Sequence, residues 1–186
     1  MLSDTRLPAS RVPILVDDPS RTTTREWFRF FEGLSALLGL GSGRFYDTTS
    51  PTFVADTPTI VPLSVTSLGR NMTLASNRVT LNNVGTYLLT ATLQLSNPDV
   101  TNADYFILWL KLNGADQAFS ASRAAVAASG SATLTATYYI DVAAGAYFEL
   151  YGLSKAGYVD ITTFAASGSP AYPAAPSVVL TVTQIL

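Results

Sequence analysis

From residue 59 onward the chain is written in period two, and no other property constrains its fold as strongly. Tyr87, Leu89, Ala91, Leu93 and Leu95 alternate with Leu88, Thr90, Thr92 and Gln94. Phe106, Leu108, Leu110 and Leu112 alternate in the same way with Tyr105, Ile107, Trp109 and Lys111, and this run stops at Asn113-Gly114. Successive side chains of an extended strand point to opposite faces, so the alternation predicts strands with one face in a core. Asn-Gly predicts a tight hairpin turn, because both residues tolerate the left-handed backbone such a turn needs. Further runs at 133–140, 147–153, 159–164 and 178–185, with weaker ones near Val61, Val79 and Phe119, give about eight to ten strands. At roughly ten-residue spacing they predict a mainly β protein built as a sandwich over 59–186.

Several of these strands carry large side chains on both faces. Trp109, Tyr138, Tyr139, Tyr147, Phe148 and Tyr151 cannot all enter one core, since their neighbours on the same strands point the other way. A strand covered on both faces sits between a core and a neighbour. Trp109, Tyr139, Tyr147 and Tyr151 are therefore the sequence's candidates for an interface between copies, with a homotrimer sharing a column of rings. Charge points the same way. Six arginines (Arg6, Arg11, Arg21, Arg25, Arg29, Arg44) and six acids (Asp4, Asp17, Asp18, Glu26, Glu32, Asp47) fall within residues 1–50, half of all charged residues in the chain. A soluble domain is about one-quarter charged, and the remainder of this chain is far below that. Uncharged strand surfaces associate unless they are already covered.

The N-terminal 43 residues read as an arm with an anchoring helix. Pro8, Pro13 and Pro19, with Val12, Ile14, Leu15 and Val16 between them, exclude a helix and favour extended backbone that gains order along a partner. Thr23 followed by Glu26 is a capping box, and it opens a predicted helix over about 24–38. Trp27, Phe30, Phe31, Leu34, Leu37 and Leu38 fall on one side of that helix, opposite Arg25, Arg29 and Glu32. A helix this short must bury its apolar side to persist. Trp27, Phe28, Phe30, Phe31, Leu34 and Leu38 are therefore the candidate anchor to another protein or to sister helices. Gly39, Gly41 and Gly43 stop the helix and act as a hinge. Residues 44–58 read as an extended strap through Pro51 and Pro58.

Chemistry is thin. The chain has neither His nor Cys, which removes a Ser-His triad, thiol catalysis and most zinc sites. Carboxylate pairs that could work on a glycoside are Asp17 with Asp18, Asp99 with Asp104, and Asp141 with Glu149. The first lies in the Pro-rich arm, the second around a turn and the third across a hairpin, so neither catalysis nor a cofactor or metal is expected. A net charge of −2 with two lysines, Lys111 and Lys155, argues against nucleic-acid binding. No stretch approaches the ~18 apolar residues of a membrane span, and Met1 to Pro8 shows no secretory leader.

The order Gly85-Thr86-Tyr87, Ile107-Leu108-Trp109-Leu110-Lys111-Leu112-Asn113-Gly114, Ala143-Ala144-Gly145-Ala146-Tyr147-Phe148-Glu149-Leu150 and Val178-Val179-Leu180-Thr181-Val182 resembles the tumour-necrosis-factor-like and complement-globular-head jelly roll. It departs from that pattern at Ala146, where an acidic turn residue is common. Arg25-Glu26-Trp27-Phe28-Arg29-Phe30-Phe31 behind a Pro-rich strip resembles the leader of small virion proteins of tailed bacteriophages. Together the resemblances imply a TNF-like jelly roll that forms homotrimers on a virion. They also imply anchoring by the arm to the major capsid protein or to a portal, neck or tail protein, after assembly in the host cytoplasm. Two functions fit. One is a structural protein of the capsid-decoration, cement or head-fibre type. The other is a short tail fibre that contacts the host surface through the loops at 96–103, 121–131 and 165–176. Those loops are mostly Ala, Ser, Gly and Pro, with Tyr172 their only aromatic. Small residues make poor binding hot spots, which favours the structural role.

Overall fold

The alternation becomes strands over nearly the whole C-terminal part of the protein. The structure, a computed structural model, describes residues 27–31 and 39–185, and the chain divides into two units, Met1–Leu40 and Gly41–Leu186. In the first unit residues 27–31 are helical. The rings of Trp27, Phe30 and Phe31 cluster with centroids 5.6–5.7 Å apart, Trp27 meeting the two rings three and four positions ahead of it on the helix, while Phe28 and Phe31 are exposed. The Pro-rich strip, the Thr23–Glu26 box, Leu34, Leu37 and Leu38 lie outside the described residues.

The second unit contains β1 (Ser42–Asp47), β2 (Thr59–Ile60), β3 (Val65–Arg70), β4 (Met72–Ala75), β5 (Arg78–Leu81), β6 (Gly85–Ser96), β7 (Asp104–Leu112), β8 (Ala115–Asp116), β9 (Ser122–Val126), β10 (Ser131–Val142), β11 (Tyr147–Ser154), β12 (Asp160–Ile161), β13 (Ser167–Gly168), β14 (Ala171–Tyr172) and β15 (Val178–Gln184). One sheet runs β10-β6-β15-β1-β3, with β12 added to β6. The other runs β4-β5-β11-β7-β8, with β2 on β11 and β9 on β7. The ladders are antiparallel, and β13–β14 is a separate small hairpin.

Residues 44–47, read from sequence as the start of a strap, instead form most of β1. It lies between β15 and β3, with Phe45 opposite Leu180 on one side and Thr66 on the other. Gly43, Phe45 and Asp47 point inward and Arg44 and Tyr46 outward, which is strand alternation too short and too mixed in type to stand out. The strap proper begins after β1, and its Phe53 is buried edge-to-face against Phe106 with ring centroids 4.9 Å apart.

The core lies between the sheets and takes the expected half of each strand: Tyr87, Leu89, Ala91, Leu93 and Leu95 of β6, and Phe106, Leu108 and Leu110 of β7. Phe45, Phe148, Leu150, Ile161 and Leu180 complete its centre. A core of this kind tolerates little change in volume. At Gly152 of β11 an added Cβ would collide with the Phe106 ring, so this strand has a glycine where the rings need its space. The Asn113-Gly114 turn joins β7 to β8 with φ of 50° and 82°, the doubly left-handed backbone of a type I′ hairpin.

Candidate functional site

The four aromatic residues read as one interface do not share a surface. β10 and β11 follow one another in sequence but enter different sheets, so Tyr139 faces out from one sheet while Trp109, Tyr147 and Tyr151 face out from the other. Of the two remaining rings, Phe148 is in the core, and Tyr138 also turns inward, its hydroxyl buried without a hydrogen-bond partner. That burial raises the Tyr138 pKa to about 12.

On the β11–β7 face the rings carry cations. Trp109 sits opposite Tyr151 in the ladder, with centroids 5.9 Å apart, and its indole N–H donates to Asp116 at 2.7 Å. Lys111 stands 4.3 Å over the Tyr151 ring and 3.5 Å from Asp116. Arg78 lies 4.0 Å over Tyr147 and bonds Glu149 through Nε and Nη2 at 3.1 and 2.9 Å. The hydrogen bond to Glu149 raises the Arg78 pKa. Arg123 stands 5.0 Å over Tyr105. Cations over ring faces are held electrostatically and keep their charge at the surface.

The outward face of the β10-β6-β15-β1 sheet has another chemistry. Thr135, Thr92, Val179 and Tyr46 form one row across it, Thr137, Thr90, Thr181 and Arg44 the next, and Tyr139, Leu88, Thr183 and Ser42 the third. Threonine hydroxyls pair across the ladder, Thr92 with Thr135 at 3.2 Å and Thr90 with Thr137 at 3.5 Å, which leaves methyls to cover the surface. In these rows the only charge is Arg44, at the β1 end; Asp141 lies beyond them, bonded by the Thr86 hydroxyl.

The carboxylates named from sequence do not converge. Asp17 and Asp18 lie outside the described residues. Asp141 and Glu149 belong to different sheets. Asp99 accepts the amides of Thr101 and Asn102 at 2.8 and 2.6 Å, and those bonds, Asn102 first, lower its pKa. At Asp104, named from sequence only as one of a carboxylate pair, the structure shows a role that sequence reading missed. The residue is buried at the start of β7 and accepts the amide of Tyr105 at 2.7 Å, the Ser154 hydroxyl at 2.8 Å, and the amides of Ala156 and Tyr158 at 3.0 and 3.1 Å. Burial pushes its pKa up, and these donors together outweigh burial and leave it below the ordinary value. It clamps the 155–158 turn to β7, and nothing local in the sequence announces a partner fifty residues away. Among the described residues no group of three or more acidic side chains could hold a metal.

A groove of about 510 Å3 opens beside β1, walled on the far side by residues 163–165 and 174–176. Arg44 and Tyr46 reach it from the β1 end of the threonine face.

No protein-family model matches this sequence, and no curated protein matches it. Solved structures do. The crystal structure of murine APRIL at pH 5.0 is similar with a TM-score of 0.50 and 12% identity, over 78% of this chain and 99% of that one. Murine APRIL at pH 8.5 gives a TM-score of 0.49 and 13% identity over the same shares. What the likeness at 0.50 carries is the fold: the C-terminal unit is a TNF-like jelly roll.

Proposed function

We propose that the protein is a non-enzymatic structural component of a tailed-bacteriophage virion. In this reading it is a homotrimer of capsid-decoration, cement or head-fibre type, held by its N-terminal arm to the major capsid protein or to a portal, neck or tail protein. The jelly-roll fold is compatible with a trimeric structural or binding protein, and the virion setting rests on the resemblance of the Arg-Glu-Trp-Phe-Arg-Phe-Phe leader. The observation that carries self-association is the threonine face. It covers β10, β6 and β15 with uncharged rows and leaves Arg44 and Tyr46 outside it on β1, where the groove opens; interface cores are depleted in charge. Tyr139, 68% exposed on that face, is the ring available as its anchor. Trp109, Tyr147 and Tyr151 stay on the opposite face and are available to another virion protein. Anchoring is assigned to the Trp27–Phe30–Phe31 ring cluster, with Phe28, Leu34 and Leu38.

Light scattering on the full-length protein beside a version that begins at Gly41, ahead of β1, tests the reading. Trimers from both place association in the jelly roll, whereas a monomer at micromolar concentration from the full-length chain sinks the proposal. A Trp27→Ala, Phe31→Ala double change is expected to release the protein from purified virions and leave the trimer intact. A second reading, a short tail fibre that contacts the host surface, is favoured by the open groove beside β1.

A further inference from the structure

The groove is one-sided in charge. In the jelly-roll unit Arg78, Lys111 and Lys155 each have a carboxylate, Arg123 has a ring, and Arg70 has a partner of its own. The Arg44 guanidinium has no partner among the described residues, and it lines the groove together with Tyr46, Thr48, Thr163, Phe164 and Pro176. No acid lines it. The nearest carboxylate along β1, Asp47, turns inward by strand alternation, is 1% exposed, and accepts the amide and hydroxyl of Thr49. A cation left unneutralised in a concave site is a device for holding an anion.

The walls are built before any ligand arrives. Phe164 and Ala175 exchange both backbone hydrogen bonds at 3.1 and 2.9 Å, the Thr163 amide donates to the Ser50 hydroxyl at 3.1 Å, and the Ser177 amide donates to the Asp47 carbonyl at 3.0 Å. Chemistry then narrows the anion. A phosphate calls for several donors, and the groove has one cation and no helix terminus. An extended peptide would need a free strand edge, yet β1 is paired on both sides, with β15 and β3. The remaining features are a fork-shaped donor suited to one carboxylate, two rings, Tyr46 and the 40%-exposed Phe164, and threonine hydroxyls at the rim.

We infer that the groove between β1 and the 163–176 segment binds a carboxylated sugar, its carboxylate on Arg44, its apolar ring face against Tyr46 and Phe164, and its hydroxyls toward Thr48 and Thr163. The inference goes beyond the virion reading and does not rest on it.

The test is calorimetric titration of the full-length protein with digalacturonate, against the neutral digalactose, inorganic phosphate and an Asp-Asp peptide as comparators. Digalacturonate is expected to saturate with a Kd on the order of 1 mM, weakening with salt, with the neutral disaccharide at least about tenfold weaker. Arg44→Gln should weaken digalacturonate about tenfold or more, and Phe164→Ala should weaken it without removing the preference for the acid. Both residues are solvent-facing, and unchanged unfolding midpoints verify that the variants fold. Light scattering on the same samples reports association separately, so a failed trimer does not count against the groove. Absence of saturation by about 20 mM, equal binding of the neutral sugar, tighter binding of phosphate or peptide, or an unaffected Arg44→Gln variant would each overturn the inference.

Discussion

The two outward faces of the sandwich come from the same strand alternation and end in opposite chemistry. On the β11–β7 face Arg78, Lys111 and Arg123 each stand over a ring, and Arg78 and Lys111 also reach carboxylates. On the β10–β6–β15 face threonine pairs with threonine across the ladder. A charged side chain must give up water when a face is covered, whereas a methyl-coated threonine row loses almost nothing. The first face is therefore suited to remain in water or to meet a matched partner, and the second is the cheaper of the two to cover, as the proposed assembly requires.

The largest expected effect breaks this contrast directly. Thr92→Lys places an unpaired charge in the middle of the threonine rows and should weaken self-association by about 100-fold or more, equivalent to ~3 kcal/mol, with the monomer still folded. Trp109→Lys on the other face should leave association unchanged. Sedimentation of the two variants side by side reads the difference, and equal losses would abolish the distinction between the faces.

Next in size is Asp104→Asn, which turns a carboxylate with four donor residues into an amide and should cost about 2 kcal/mol in urea unfolding. Its sign with pH is fixed. The folded pKa lies below the ordinary 3.8, so the carboxylate contributes fully above about pH 5 and loses its contribution as pH falls through the folded value. The wild-type protein should lose stability in that acid range and the variant should lose less; parallel acid titrations of unfolding would refute the clamp. The smallest effect is a gain. Tyr138→Phe removes the buried, unpartnered hydroxyl and should raise stability by up to about 1 kcal/mol, seen as a higher urea midpoint at an unchanged slope. A loss instead would mean that the hydroxyl has a partner when copies assemble.

Much of this architecture is legible in the sequence because it is local. Alternation assigns the inner and outer halves of β6 and β7 correctly from Tyr87 to Leu112, and Asn113-Gly114 marks its own turn. What is not legible depends on pairings made at a distance. β1 is six residues long, begins Ser-Gly-Arg, and acquires its character from pairing with β3 and with β15, whose Thr183 lies 141 positions from Ser42. Asp104 is in the same position, since its donors are in sequence as remote as Ser154 and Tyr158. The surplus of rings was legible, but its division between two faces was not, because period two says that neighbours oppose one another and says nothing of which sheet a strand will join. The groove could not be anticipated either: Arg44 and Phe164 meet only after β1 has found its place.

That place has a consequence for how the protein is made. β15 is seated between β6 and β1, so two strands from the first half of the jelly roll have no common neighbour until residues 178–184 have left the ribosome. Before that, β6 and β1 each lack the neighbour that covers one of their edges. Polysomes translating several such chains in close proximity would bring those edges together, and speed of synthesis through residues 178–184 becomes a determinant of yield.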